Sequence, residues 1–337
     1  MEANNKASSD APIRFNSVLG RADLMAISMG LIIGAGIITL TGIAIRMTGR
    51  SVCIAFILAA GIIAITNIPF SYVAGTIRVE GGQYTQMALF APKFVTGIYL
   101  YIYVFATIAL SMYGISFANY FLQLVPGANL QLVAILAITA MFLLNFLGIK
   151  SVAKAQILMV VLTTLALTLF ICFGINHVKP DYFEPKGFFR NGTIGLMTAT
   201  ALLTFAADGA KSIINFSPEC KDPTRDIPFV MTVSTLAVGF LYAMIGVVAS
   251  GVLPVEQVSG KTLAVVAYET MPYPVYIFFI IGGALFALLT TINATIGYMT
   301  KPLIQACEDG WLPKKWLYCT LASKHLTLFC SCSISSV

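Results

Sequence analysis

The sequence predicts an all-α integral membrane protein with about eight spanning helices, two of them interrupted. Composition is the first observation: 58% of residues are hydrophobic and 10% charged, against roughly 45–50% and about 25% in soluble domains. The second is length. Apolar runs of about 20 residues or more, enough to cross a bilayer, recur near 22–48, 51–75, 95–124, 131–149, 153–174, 193–216, 228–252 and 273–303. The third is the placement of glycine and charge inside runs 1 and 6. Strand-like alternation is absent, which removes a membrane β-barrel.

The arm at 1–20 is polar, is expected to be disordered up to Phe15, and has no short apolar core followed by a small-residue cleavage site. Insertion is therefore expected to use membrane helix 1 itself. Asp23 is placed to cap that helix or to complement its first turn. Within it, Ser28-Met29-Gly30-Leu31-Ile32-Ile33-Gly34-Ala35-Gly36-Ile37-Ile38 is punctuated by glycine. A spanning segment must satisfy every backbone polar group, so a break survives only where the freed groups face protein, water or a ligand. Gly34 and Gly36 make a break cheap. The same glycines also suit close packing by a second helix.

Thr48-Gly49-Arg50-Ser51 turns the chain tightly into helix 2. After helix 2, Arg78-Val79-Glu80-Gly81-Gly82-Gln83-Tyr84 is too polar to span and precedes an apolar patch, predicting a cytoplasmic re-entrant turn and a short surface helix. Helices 3 and 4 are joined by Val125 to Asn129, and the longest loop, Asn176 to Gly192, falls outside. Helix 6 then carries Thr204-Phe205-Ala206-Ala207-Asp208-Gly209-Ala210-Lys211 at membrane depth. An intramembrane charge costs at least several kcal/mol unless paired or hydrated. Asp208 and Lys211 stand three apart, a spacing that pairs on a helix, so they either neutralise each other or one serves substrate or proton. Glu219 to Pro228 follows as a charged hinge, expected as a solvated turn, whose prolines end one helix and start the next. Helix 8 is longer than one crossing needs and is tilted or continues past the membrane face.

With the N-terminus inside, 13 Lys and Arg residues fall in inner segments and 6 in outer ones, with Lys211 left within helix 6. The positive-inside rule therefore places the N-terminus in the cytoplasm. The net charge of +6 follows the membrane and does not mark a nucleic-acid partner. Seven cysteines form no CxxC pair, and His177 and His325 lack partners at metal spacing, so no metal or organic cofactor is expected. No nucleophile–base pair or nucleotide loop is present, and an enzyme is not expected.

Interrupted helices five apart carry a further implication. An odd number of helices per repeat turns the second copy upside down, and paired breaks at matching positions are the pointer to an inverted-repeat transporter with a midplane site.

Four stretches in order then resemble the amino acid–polyamine–organocation superfamily of amino acid permeases: Leu19-Gly20 with Asp23-Leu24 and Gly30 to Ile37; Glu80-Gly81-Gly82-Gln83-Tyr84; Glu219, Lys221-Asp222-Pro223, Arg225 and Ile227-Pro228; and Leu289 to Asn293 with Asp309 to Pro313. The resemblance covers about 14–318. It implies a leucine-transporter-like fold of two inverted five-helix repeats, usually extended to twelve helices. The expected division is an arm at 1–20, a first repeat at 21–175, an outer loop at 176–192, an incomplete second repeat of helices 6–8 at 193–303, and a cytoplasmic loop and atypical tail at 304–337. The tail matches nothing expected of the family, which raises a truncated or frame-shifted, non-transporting membrane product as the second reading.

The resemblance also implies site residues. The substrate carboxylate is expected at the helix 1 break, on N–H groups near Gly34, Ala35 and Gly36, where the start of a helix favours an anion. Its ammonium is expected on carbonyls near Ile32, Phe205 and Asp208, beside Gly209. Phe205 is expected to close over the substrate from outside, or to be a packing aromatic. Tyr103 and Thr107, one turn apart on helix 3, face the pocket or belong to a packing stripe. Three departures stand out: Ala35 where a hydroxyl is frequent, Lys211 where an acid is frequent, and Thr163 where some members have a lysine in place of sodium. The expected function is secondary transport of an amino acid, neutral and zwitterionic, across the cell membrane by alternating access, with protons as coupling ion or by exchange. The bilayer is the other partner, and the sequence leaves the oligomeric state open.

Overall fold

The computed structural model describes residues 17–77, 81–146, 149–184 and 188–313. The expected arm up to residue 16, part of the re-entrant turn at 78–80 and the tail from 314 lie outside them.

Helix 1 consists of α1 (Arg21–Ile32) and α2 (Ala35–Thr48), helix 2 of α3 (Val52–Thr76), followed by the short α4 (Gly82–Phe90). Helix 3 is α5 (Lys93–Ala106) and α6 (Ala109–Leu124), helix 4 is α7 (Leu130–Phe146), and helix 5 is α8 (Ile149–Ile175). Helix 6 is α9 (Gly192–Ala207) continued by a 3₁₀ helix at Ala210–Glu219, and helix 7 is α10 (Pro223–Gly251). The short α11 (Val255–Val258) and α12 (Ala264–Thr270) precede helix 8, built of α13 (Tyr273–Phe278), a π-helical stretch at Phe279–Leu285 and α14 (Phe286–Glu308). Among the described residues, six runs have the length and apolarity to cross a membrane, one of which, Arg21–Thr76, holds helices 1 and 2; the shorter apolar Leu130–Asn145 is helix 4. Eight crossings result, as expected.

Local sequence explains the ends. Asp23 accepts the Gly20 N–H at 2.8 Å, closing the start of α1. Pro223 opens α10, where its missing N–H costs nothing. Pro228, by contrast, lies inside α10 rather than at its start. Helix 3 tightens at a point the sequence does not signal: Thr107 and Ile108, still in helical torsions, bond back three residues, to Val104 and Phe105, at 3.2 and 3.1 Å.

Helix 7 packs along helix 2, and α9 of helix 6 packs on α2 and α3. Small residues permit this, since lipid supplies no hydrophobic drive between helices and association rests on close packing. Phe56 and Tyr242, both fully buried, meet edge-on with centroids 5.5 Å apart.

At one end of the bundle, the end that holds the start of helix 1, the helices are tied by charge. Glu219 and Lys301 pair at 2.5 Å, both buried, and Arg21 meets Asp226 at 2.7 Å while lying over the Phe229 ring. The Val18 and Leu19 N–H groups donate to the Glu219 carbonyl at 2.9 Å, and the Lys221 N–H donates to the Leu19 carbonyl at 3.0 Å. The Glu219–Pro228 hinge is therefore packed on one face and solvated on the other: Glu219 and Asp226 are buried because each has a cation from another segment, while Lys221, Asp222, Thr224 and Arg225 are exposed. At the opposite end, the Tyr182 hydroxyl donates to the Arg50 carbonyl at 2.7 Å, and Arg50 pairs with Asp181. That fastens the loop after helix 5 onto the helix 1–2 turn.

Candidate functional site

Both interruptions are present, and they touch. Helix 1 leaves helical geometry at Ile33 (φ −79°, ψ 90°) and Gly34 (φ −145°, ψ −147°). Helix 6 leaves it at Asp208 (φ −80°, ψ 147°) and Gly209 (φ 152°, ψ −36°). Gly209 occupies backbone space that side chains avoid, and a Cβ there would stand 2.8 Å from the Leu31 carbonyl oxygen. Glycine thus serves twice at one point, for the torsion and for the approach of helix 1. The ten-residue 3₁₀ segment that follows exceeds the three or four residues usual for that geometry.

The helix 1 break covers Ile33–Gly34, not Gly34–Gly36 as the glycine pattern implies. Gly36 lies in the first turn of α2, and a Cβ on it would fall 2.7 Å from the Ala206 Cα. Its missing side chain serves the crossing of helices 1 and 6. Both readings of the glycines therefore hold, each at its own residue.

Between the breaks lies a cavity of about 320 Å³. Ile32, Gly34, Gly36, Tyr103, Phe205, Asp208, Gly209 and Lys211 line it, so eight of the ten expected residues come together. Thr107 does not line it: its hydroxyl turns back to the Val104 carbonyl at 2.6 Å, within the tightened turn of helix 3. The Ala35 side chain lies outside the described set.

One group differs chemically from expectation, and the two charges of helix 6 take the first of their two expected arrangements. The Ile32 carbonyl accepts from the Tyr242 hydroxyl at 2.8 Å, so it is not a free acceptor. Asp208 and Lys211 are bound to each other, Nζ to Oδ2 at 2.7 Å, and Asp208 Oδ1 accepts the Gly209 N–H at 3.0 Å. Each is about a third exposed, open to the cavity yet neutral as a pair. On the helix 8 side, Thr290 and Thr291 donate to the Gly30 carbonyl at 3.3 and 3.2 Å and to Ala287. The leading N–H groups of α2, as at any helix start, have no partner within their own helix.

Sequence reasoning missed Gln83, Tyr113, Ser212, Thr291, Thr295 and Tyr298, which also line the cavity. For Thr291 the signal was the Leu289–Asn293 match. The tyrosines carry no pattern that separates them from packing aromatics. Thr163, on helix 5, is buried with a hydroxyl that has no partner among the described residues.

A bundle of membrane helices in which two crossings unwind against each other around a cavity defines a membrane transporter. The chain belongs to the amino acid permease family, whose description matches residues 19–325, within the amino acid–polyamine–organocation superfamily. It is 27% identical over 320 residues to the branched-chain amino acid permease BcaP of Bacillus subtilis, covering 88% of this chain and 68% of that one. It is 27% identical over 319 residues to the methylthioribose transporter of the same organism, with the same coverage. Among solved structures it resembles Mhp1, a nucleobase-cation-symport-1 family transporter in a closed conformation with bromovinylhydantoin bound, at a TM-score of 0.61 and 15% identity, covering 97% of this chain and 72% of that one. That likeness establishes the leucine-transporter fold. The named relatives are transporters, not enzymes.

Proposed function

We propose that the chain moves a neutral, zwitterionic amino acid across the cell membrane by alternating access, coupled to protons or by exchange. In this reading residues 21–175 are the first repeat, 193–303 belong to the second, 176–192 are an outer loop, and the N-terminus is cytoplasmic. The substrate carboxylate lies against the N–H groups that begin α2, and its ammonium against the carbonyls freed at Phe205 and Asp208, with Tyr103 and Phe205 bounding the site. Ile32 contributes its backbone, already tied to Tyr242.

The observation that carries the reading is the closed Asp208–Lys211 pair at 2.7 Å in the cavity wall. A paired wall has no net charge to offer, so a ligand that is itself neutral overall is favoured. A cationic side chain gains no unpaired carboxylate and meets an ammonium at close range. The family alone does not fix this point, since relatives named for branched-chain amino acids and for methylthioribose both match.

The test is uptake of labelled leucine and arginine into proteoliposomes by the intact chain and by Lys211→Glu. Leucine uptake by the intact chain and a shift toward arginine in the variant are expected. Arginine uptake unaffected by leucine in the intact chain would overturn the assignment.

A further inference from the structure

At the cavity end bounded by α4 and helix 3, Gln83 and Tyr103 both line the wall. Gln83 is held from several directions. Its backbone N–H donates to Asn215 Oδ1 at 2.8 Å, and the Tyr99 hydroxyl donates to its Oε1 at 3.2 Å. Gly82 lets it sit there, because a Cβ would stand 2.7 Å from the Asn215 Cα. The Gln83 Nε2 nevertheless has no hydrogen-bond partner among the described residues, and neither does the Tyr103 hydroxyl. An exchange of the amide oxygen and nitrogen leaves the same surplus: the Tyr99 hydroxyl would then accept instead of donate, and one amide atom would still be left over. Tyr99 and Tyr103 are neighbours, with centroids 6.2 Å apart, so the spare groups belong to one cluster.

Buried polar groups without partners are rare and ask for an explanation. A wall made only to hold a hydrocarbon side chain would not fix a carboxamide and a phenol there with their hydrogen bonds unmade. We infer that this cluster is a subsite for the distal end of the substrate, and that it selects an amino acid whose side chain ends in a neutral hydrogen-bonding group, the carboxamide of glutamine above all. A carboxamide both donates and accepts, which satisfies the Gln83 amide and the Tyr103 hydroxyl together. The inference rests on the amino acid site proposed above and deepens it by naming the side-chain class.

Sites built to hydrogen-bond a polar group discriminate strongly against the analogue that lacks it. The experiment compares L-glutamine with L-norleucine, which has an apolar end, by thermal stabilisation of the purified full chain. Glutamine should act at a concentration about tenfold or more below norleucine. Gln83→Leu should abolish that preference, weakening glutamine about tenfold without weakening norleucine, and Tyr103→Phe should narrow it. Norleucine equal to or better than glutamine in the unaltered chain overturns the subsite and leaves the amino acid site standing. Stabilisation by no amino acid overturns both. The comparison in the unaltered chain decides the matter even if a variant does not fold.

Discussion

The Tyr242 hydroxyl on helix 7 donates to the Ile32 carbonyl at 2.8 Å, at the residue where helix 1 stops being a helix. Both are buried. A break in the membrane leaves carbonyls that must find another donor, and Tyr242 supplies one. Tyr242→Phe keeps the ring against Phe56 and removes only that donor. The expected cost is about 1–3 kcal/mol, read as a lower melting temperature in detergent together with weaker substrate binding. An unchanged melting temperature would mean that the carbonyl is satisfied otherwise.

Gly36→Ala should destabilise the chain through the contact of helices 1 and 6, because the new methyl falls on backbone, 2.7 Å from the Ala206 Cα and 2.8 Å from its Cβ. Ala206→Gly in the same chain should restore part of the monodisperse yield, since it removes one of the two clashes. Absence of any rescue would place the effect of Gly36 elsewhere.

The buried Glu219–Lys301 pair joins the end of helix 6 to helix 8. Lys301→Met strands a buried carboxylate and is expected to cost about 3–5 kcal/mol, whereas Lys301→Met with Glu219→Gln should recover most of it, since buried pairs replaced together are frequently near neutral. Melting of the single and double variants decides; equal loss in both would show that the pair does not act as a unit.

Tyr84, outside the spanning segments, donates to Asp309 at 2.8 Å. Its pKa is held well above the usual 10.0, first by burial and then by the hydrogen bond to and charge of Asp309. A pKa raised in the folded state means that the native protein keeps a proton the unfolded chain gives up. This contribution is intact below pH 10.0 and is lost as pH rises beyond it. Melting temperature followed from pH 8 to about 11 should fall more steeply for the intact chain than for Tyr84→Phe; parallel curves would remove Tyr84 as the cause.

How much of this was legible depended on whether a residue's chemistry is local. Gly34, Gly209, Asp208 and Lys211 were readable because a glycine or a charge at membrane depth is anomalous by itself. Tyr242 was not, since its role exists only through a carbonyl 210 positions away. The tightened turn of helix 3 at Thr107–Ile108 carries neither glycine nor proline, so the turning of the Thr107 hydroxyl onto the Val104 carbonyl was not legible. The burial of Glu219 and Asp226 in the hinge was not legible because their partners, Lys301 and Arg21, lie far off in sequence.

A substrate seated between the two breaks shields the cavity wall from thiol reagents. Phe205 lines the cavity and is 57% exposed, while native Cys172 on helix 5 is exposed and does not line it. In Phe205→Cys protein, saturating glutamine or leucine should slow labelling at 205 several-fold, in proportion to site occupancy, and leave Cys172 unchanged. Labelling at 205 that is indifferent to every amino acid, in protein that still binds one, would place the site away from the breaks and contradict the account.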